Sequence, residues 1–573
     1  MTCERSRILP ISRNLRRGLL VALTLPHLAA AEVDPSAYLV ARQAAMQSDF
    51  ARSAAHFADT LRDDPTNPYL LESSLSAHVS LGQFDQAIAL ANTMHTAQIN
   101  SQLGRLVRQV AQAQSGDWAA IFDALEAGED IGPLVDGLAQ GWAFVGQGQV
   151  TRALATFDDM SLEPGLRGYA RWHKALALAA VGDFEGANDL FVNVDEGGLL
   201  YTARRAMAHA EILSQLGKND QAHALLTRVF GTNADDRIGQ MKTALLRDDV
   251  LPYTFAKSAQ TGLAEVYFDV AQAVRDEASQ TFVLQFIRAA VALNPQNADA
   301  ILFAAETLER LEQYTLATAT YRQIPEDHPT YQNAELGRSE ALRKSGKQDA
   351  ALEVLEALQR RYPNIARIKA AIGDLARSNE DYARAQAAYS GALDIYADSD
   401  PLKPFIYFSR GIAFHKTDDW PKAEADFRAA LALRPDDAQV LNYLGYSLVE
   451  RGLKIEEATA MIETAVRAQP DNGAIVDSLG WVLFERGQYA EAVIHLERAA
   501  SLMAVDPVIN DHLGDAYWAV GRFNEAAFQW NRALSFDATE TDAARIRLKL
   551  ELGLDAVLKA EGAAPLRATD DDG

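Results

Sequence analysis

The chain has 573 residues, of which 48% are hydrophobic and 23% are charged, and its formal net charge is −24 at pH 7. These values predict an ordered chain and argue against a nucleic-acid partner, because a phosphate backbone requires basic patches. The single cysteine, Cys3, excludes a disulfide scaffold and a cysteine-rich metal site.

Residues 1–31 have the pattern of a secretory signal peptide. A basic start precedes an apolar run that ends with Ala29 and Ala31. Small residues at these positions suit a signal peptidase, so we expect cleavage before Glu32 and a periplasmic location. The run is shorter than the about 20 apolar residues of a membrane span, so no span is expected after cleavage. The alternative is an inner-membrane anchor formed by an uncleaved N-terminus.

After the signal, a small residue recurs about every 34 positions. The stretch from Gly487 to Ala492 reappears from Gly521 to Ala526, a shift of 34. Equivalent anchors occur earlier in the chain at Ala458, Ala423, Ala385, Ala351, Ala317, Ala222, Ala187, Ala153, Ile121, Ala87 and Ser53. Apolar residues flank the anchors at helical spacing, and prolines end several units. Each unit is therefore predicted to be a helix–turn–helix that buries its faces only by stacking into a solenoid.

This pattern resembles the tetratricopeptide repeat family, which has small residues at the eighth and twentieth repeat positions and an aromatic residue at the seventeenth. The resemblance covers about residues 36–538. It implies an all-α fold, a right-handed α-solenoid of about fourteen helix–turn–helix units with a C-terminal capping helix.

The repeat frame divides the chain into segments. The predicted segments are the signal peptide 1–31, an N-terminal array 36–230, an irregular stretch 231–262, a C-terminal array 263–538, a capping helix 539–561 and a disordered acidic tail 562–573. The irregular stretch is either an insertion or a deviant repeat, because 61 residues separate Ala222 from the next anchor near Val283. One repeat accounts for only 34 of these residues.

The sequence contains no catalytic or cofactor signature. Its eleven histidines form no zinc spacing, and it has no P-loop, no GxGxxG loop and no GxSxG elbow. We therefore predict that the chain is not an enzyme and has no catalytic residue, no metal site and no cofactor.

In tetratricopeptide repeats, the first helix of each pair lines a concave groove that binds proteins or extended peptide segments. The resemblance places groove positions at fixed offsets from the Gly480-type anchor. The candidate partner-binding residues at these offsets are Phe405, Asn442, Tyr446, Asp477, Trp481, Phe484, Asp511, Asp515 and Trp518. Aromatic platforms among carboxylates predict a partner that is basic or partly apolar. The alternative is that some of these rings pack between repeats.

The C-terminal third also resembles a group of large exported bacterial repeat proteins, on the segments Leu441–Tyr446, Ile475–Trp481 and Ile509–Asp515. Some members are lipoprotein adaptors of carboxyl-terminal processing proteases. This implies a periplasmic scaffold that presents envelope or cell-wall proteins to a protease, although the chain lacks the lipid-bearing cysteine. Two alternatives remain open. One is an assembly or export factor for the outer membrane or envelope polysaccharide, and the other is a cytoplasmic regulatory array with an uncleaved N-terminus.

Overall fold

The structure is a computed structural model that describes residues 35–192, 202–231, 236–563 and 566. The expected signal peptide and most of the expected tail lie outside these residues. Within them every regular element is an α-helix, which confirms the predicted all-α class. The chain forms two compact units, which divide between Leu316 and Ala317 rather than within the stretch 231–262. We call them unit 1 and unit 2.

Helix α17 (Tyr314–Tyr321) contains the boundary between the units. The preceding helices are α1 Pro35–Met46, α2 Phe50–Leu61, α3 Pro68–Leu81, α4 Phe84–Thr96, α5 Gln102–Ser115, α6 Trp118–Glu126, α7 Pro133–Gly146, α8 Val150–Met160, α9 Arg167–Ala180, α10 Phe184–Val192, α11 Ala203–Gln215, α12 Asn219–Phe230, α13 Asp236–Leu246, α14 Ala259–Ala273, α15 Gln280–Leu293 and α16 Ala298–Arg310.

The helices of unit 2 after α17 are α18 Tyr331–Lys344, α19 Gln348–Arg361, α20 Ala366–Ser378, α21 Tyr382–Leu393, α22 Lys403–Lys416, α23 Trp420–Leu433, α24 Ala438–Glu450, α25 Ile455–Ala468, α26 Gly473–Glu485, α27 Tyr489–Leu502, α28 Pro507–Ala519, α29 Phe523–Leu534, α30 Glu540–Leu552 and α31 Leu554–Ala560. Consecutive helices pack as pairs, and the first helices of successive pairs also touch. We call the side lined by the first helices the inner face of a unit.

Side-chain caps recur where the first helices of unit 2 begin. Asp437, Asn472 and Asp506 precede α24, α26 and α28, and each side chain accepts a hydrogen bond from a backbone N–H of the first turn. The caps satisfy amides that have no partner within the helix. Gly487 and Gly521 follow α26 and α28 with φ of 75° and 79°, which glycine adopts without steric cost. The sequence thus specifies where these helices start and end.

The small anchor residues are points of closest approach between paired helices. A Cβ added at Gly480 of α26 would lie 2.6 Å from Leu496 Cγ of α27. Ala492, which faces the same contact region, is fully buried at 0% exposure. The predicted register therefore places its smallest side chains where the helix pair has no spare volume.

Replacing Gly480 or Ala492 by leucine is expected to lower the free energy of unfolding by about 1–3 kcal/mol, because either side chain must displace its neighbours. Denaturant unfolding followed by circular dichroism measures this loss. The matched control is Gly168→Leu in α9, where an added Cβ meets no atom within 4 Å. Midpoints for the Gly480 and Ala492 variants equal to that of wild type would contradict the register.

Two helices of unit 1 fill its inner face. α14 packs against α5, α7 and α9, and α15 packs against α3 and α5. Leu263, Val266 and Tyr267 of α14 are all fully buried at 0% exposure, as expected of a helix that is enclosed on all sides. A Cβ at Gly262 would lie 2.3 Å from the indole ring of Trp142, so glycine permits the close approach to α7. The inner face of unit 1 is therefore part of its core.

Polar contacts fix these two helices in place. The Tyr267 hydroxyl donates a hydrogen bond to Gln109 Oε1 of α5 at 2.5 Å. Arg288 of α15 is 5% exposed, and its Nε donates to the carbonyl of Ser80 in α3 at 3.2 Å. Buried polar groups that are hydrogen-bonded in this way favour one arrangement of the helices over others.

The described part of the irregular stretch 231–262 contains helix α13, a segment without helix over 247–258 and the first residues of α14. This segment is bound to α11. Glu211 of α11, 4% exposed, accepts hydrogen bonds from the backbone N–H and the hydroxyl of Thr254 at 2.7 and 2.8 Å. The backbone N–H of Leu251 donates to the Ser214 hydroxyl at 2.9 Å. The segment leads directly into α14.

Burial raises the pKa of Glu211 from 4.5 to about 7, against the opposing hydrogen bonds from Thr254. A carboxyl whose pKa is raised on folding contributes stability below its unfolded pKa and loses it as the pH rises through the folded pKa. Between about pH 4.5 and pH 7, wild type should therefore lose stability relative to Glu211→Gln, by on the order of 2–3 kcal/mol. Thermal unfolding of both proteins across this range measures the difference. Melting temperatures of the two proteins that change in parallel with pH would contradict the raised pKa of Glu211.

The cap that the sequence predicted as one helix over 539–561 consists of two helices, α30 and α31. Gly553 separates them with φ of 82°, a backbone conformation that interrupts a helix. A Cβ at this position would lie 2.5 Å from the Trp518 ring, so the break also seats the cap closely on α28.

Candidate functional site

The predicted partner-binding residues lie on four first helices of unit 2. The structure places Phe405 on α22, Asn442 and Tyr446 on α24, Asp477, Trp481 and Phe484 on α26, and Asp511, Asp515 and Trp518 on α28. Their burial and partners differ strongly, so they do not form one uniform surface.

The aromatic residues of α26 are used largely in packing against α28. The Trp481 ring stacks on the His512 ring with centroids 4.0 Å apart, and on Phe484 at 4.9 Å. Phe484 is only 7% exposed. His512 Nδ1 lies 3.0 Å from Asp477 Oδ2. Burial lowers the pKa of His512, but the Asp477 carboxylate more than offsets this and the pKa lies above its ordinary value. These contacts correspond to the alternative in which the rings pack between repeats.

The carboxylates of α28 are paired within the chain, which corrects the expectation that they face a ligand. Lys549 of α30 is fully buried, and its Nζ lies 2.8 Å from Asp511 Oδ2 and 2.7 Å from Asp515 Oδ1. The indole N–H of Trp518 donates to Asp555 of α31 at 2.9 Å. The cause is the cap, which covers the last inner-face positions with its own side chains.

The two candidates on α24 are half-buried. Asn442 Oδ1 is buried and has no hydrogen-bond partner among the described residues. Burial raises the pKa of Tyr446 above its ordinary value. An unsatisfied buried acceptor is unusual in a native protein. Asn442 Oδ1 is thus enclosed by the repeats rather than presented on their surface.

Phe405 lines an open cavity of about 290 Å³ between α18, α20 and α22. Leu355, Leu375 and Ile406 contribute its buried apolar wall. Leu402 and Phe405 are 43% and 48% exposed at the same cavity. The cavity gives the inner face of unit 2 a concave apolar site, which is the usual form of a binding pocket.

Polar side chains also line this cavity, namely Ser339, Glu340, Arg343, Arg367, Asp374 and Tyr396. Asp374 accepts a hydrogen bond from the Tyr389 hydroxyl at 2.7 Å, and burial raises the pKa of Asp374 above its ordinary value. Glu340 is paired with Arg343, whose Nη2 lies 2.7 Å from Glu340 Oε1. The hydroxyl of Tyr396 is buried without a hydrogen-bond partner among the described residues. The lining therefore combines paired charged groups with a residue whose hydroxyl is buried.

The list of candidates from the sequence missed several residues of this cavity. Leu336 and Arg367 stand at the same offsets from their anchors as other groove positions, so the register contained a signal for them. Tyr396 and Leu402 come from the longer linker between α21 and α22. No repeat position predicts them, because the linker lies outside the repeat pattern.

The described residues contain no group of three or more His, Cys, Asp or Glu side chains that could hold a metal ion. In the same part of the chain, no helix is long and apolar enough to cross a membrane. The cavity combines apolar walls with a few hydrogen-bonding groups, an arrangement suited to binding.

Comparison with known families identifies the repeats. A family model for the tetratricopeptide repeat matches residues 336–400, 408–454 and 446–506, all within unit 2. The TPR repeat-containing protein PA4667 of Pseudomonas aeruginosa is 31% identical over 130 residues, or 22% of this chain and 21% of that protein. The peroxisomal targeting signal receptor of Debaryomyces hansenii is 28% identical over 228 residues, or 39% of this chain and 38% of that protein.

The chain thus matches about a fifth and about two fifths of the length of these relatives. Among solved structures, a chain of the APC/C hetero-tetramer Cut9–Hcn1 is 14% identical with a TM-score of 0.38, covering 91% of this chain and 96% of that chain.

Proposed function

We propose that this chain, a member of the tetratricopeptide repeat family, binds an extended segment of another protein on the inner face of unit 2. Repeats of this family form scaffolds for protein–protein interaction and are generally non-enzymatic. Arrays of stacked repeats offer extended concave surfaces, on which a segment contacts several repeats at once.

The observation that carries the proposal is the difference between the two inner faces. In unit 1, α14 and α15 occupy the space that a ligand would need. In unit 2, the cavity between α18, α20 and α22 is open, and Phe405 and Leu402 leave apolar surface exposed beside it. Exposed apolar side chains around a concave site are typical of a protein-binding surface.

Site-specific photocrosslinking tests this role. A photoreactive phenylalanine analogue at position 405 of the full chain should form a discrete adduct with a partner in cell extract. The control places the same group at Phe528, which is 61% exposed on the second helix α29 and does not line the cavity. Adducts should form at 405, and the Ala371→Trp change within the cavity should reduce their yield. Equal adducts at both positions, or none at 405, would contradict the proposal.

The finer role we propose is that of a periplasmic adaptor that presents envelope proteins to a processing protease. It is supported by the signal-like pattern of residues 1–31 and by the resemblance to exported repeat proteins. The yeast relative is described as a receptor for a targeting signal, which is compatible with a segment-binding role. N-terminal sequencing of the protein from envelope material should begin at Glu32, whereas an intact Met1 in the cytosol would refute export.

A further inference from the structure

A contact between α26 and α28 is built around His512. This histidine lies on α28 and is 9% exposed. Its Nδ1 lies 3.0 Å from Asp477 Oδ2 of α26, and its ring stacks on the Trp481 indole of α26 with centroids 4.0 Å apart. We call Asp477, Trp481 and His512 the joint. One imidazole ring thus connects two successive first helices through a carboxylate and an aromatic face.

The joint favours the charged form of His512. Asp477 is 6% exposed, and among the described residues His512 is the only cation within 4 Å of its carboxylate. A buried carboxylate without a cation strongly destabilises a protein. The face of an indole ring also attracts a cation. The imidazolium form therefore suits both neighbours, whereas the neutral ring retains only a hydrogen bond to Asp477.

Most of the charged groups around the joint are carboxylates. The titratable groups of the helices that pack here are Tyr446 and Glu450 of α24, Glu485 of α26, Asp511 and Asp515 of α28, and Arg545 and Lys549 of α30. Arg545 is shared with Glu561. Lys416 and Arg451 also lie near Glu450, where they oppose the rise of its pKa on burial. The remaining excess of carboxylates stabilises a positive charge on His512.

The pKa of His512 has a consequence for stability. Burial lowers this pKa, but Asp477, Asp511 and Asp515 more than offset the effect and raise it above 6.5. A histidine whose pKa is raised on folding contributes stability below its unfolded pKa and loses it as the pH rises through the folded pKa. For His512 the loss therefore falls above pH 6.5.

We propose that the joint is a pH-sensitive switch on the inner face of unit 2. In its closed form, the imidazolium of His512 binds Asp477 and holds the Trp481 ring against α28. Loss of the proton leaves the buried Asp477 carboxylate without a cation, so water enters the joint and the indole ring is released onto the inner face. The switch does not involve the cavity between α18, α20 and α22, so it and the proposed function can fail separately.

Nitrogen-15 NMR of the full chain, labelled only at histidine, tests the charge of His512. The variant His512→Gln identifies the resonance, which should titrate with a midpoint above pH 6.5. Asp477→Asn should lower that midpoint by at least about one pH unit, because an opposite charge at this distance changes a pKa by about 1–3. A wild-type midpoint at or below 6.5, or a midpoint that Asp477→Asn leaves unchanged, would overturn the proposal.

Thermal unfolding gives a second readout, which a pH-independent packing role of His512 would not move. The melting temperature of wild type should exceed that of His512→Gln by at least about 2 °C at about pH 5.5, and the difference should shrink toward zero by about pH 8.5. The control is His495→Gln on α27. Burial lowers the pKa of His495, so this second difference should change with pH in the opposite direction. Parallel curves for wild type and His512→Gln would overturn the proposal.

Fluorine NMR of the full chain labelled with 5-fluorotryptophan tests the release of Trp481. Trp481→Phe identifies the resonance, which should shift with the midpoint of His512, and His512→Gln should abolish the shift. The control is Trp118 of α6 in unit 1, whose ring packs against Gly146 of α7 and should give a constant signal. A Trp481 signal that stays constant while His512 titrates would show that the proton leaves without opening the joint, which overturns the switch.

Discussion

Replacing Lys549 by methionine should destabilise unit 2 by about 3–5 kcal/mol, the usual cost of removing one partner from a buried ion pair. Lys549 is fully buried and Asp515 is 1% exposed, so water cannot replace the lost ammonium group. Burial and the neighbouring Asp515 raise the pKa of Asp511 to about 6, and Lys549 opposes this rise. Without Lys549 that pKa rises further, so the destabilisation should be larger at about pH 8 than at about pH 5.

Chemical denaturation at the two pH values measures this effect. The matched control is Lys559→Met on α31, an exposed lysine of the same cap, which should leave stability unchanged. The double variant Lys549→Met/Asp515→Asn should recover part of the loss, because one of the uncompensated charges is removed. A loss below about 1 kcal/mol for Lys549→Met would contradict the buried pairing.

Replacing Arg204 by methionine should have a comparable effect on unit 1, again about 3–5 kcal/mol. Arg204 of α11 is paired with Glu265 of α14, with Nη2 lying 2.7 Å from Oε1, and Glu265 is 0% exposed. Burial raises the pKa of Glu265 to about 6, while Arg204 opposes this rise. Without Arg204, a buried carboxylate would face the apolar core that α14 forms.

The double variant Arg204→Met/Glu265→Gln is the control for this pair. Glutamine keeps the shape of Glu265 and can still accept a hydrogen bond from Asn297, whose Nδ2 lies 3.1 Å from Glu265 Oε1. The double variant should therefore be more stable than Arg204→Met alone. Thermal unfolding at neutral pH compares the two, and equal stability of wild type and Arg204→Met would contradict the pairing.

The repeat period was sufficient to predict the helix pairs but not what fills the inner face of unit 1. A small anchor such as Gly480 constrains only the local contact between two helices. The insertion of α14 and α15 depends on contacts distant in sequence, such as that between Tyr267 and Gln109. A signal was present, because Glu265 and Asp269 are the only polar residues between 263 and 271, and a helix that is apolar on nearly all sides is expected to be enclosed.

The ion pairs that the candidate carboxylates form within the chain are also separated by about one repeat length in sequence. Asp515 and Lys549 are 34 residues apart, one repeat length, and His512 follows Asp477 by 35. The repeat register therefore places these charges on neighbouring repeats of unit 2. The predicted repeats stopped at Ala526, although Ala560 of the cap stands a further 34 residues along and continues the register.

Unit 2 has an open inner face, whereas the inner face of unit 1 is filled by α14 and α15. Hydrogen–deuterium exchange of the full chain tests this difference most directly. Amides of α14 and α15, which are enclosed in the core of unit 1, should exchange slowly, and amides of α20 and α22 beside the open cavity should exchange faster. Exchange of α14 and α15 as rapid as that of α20 and α22 would contradict a filled inner face in unit 1.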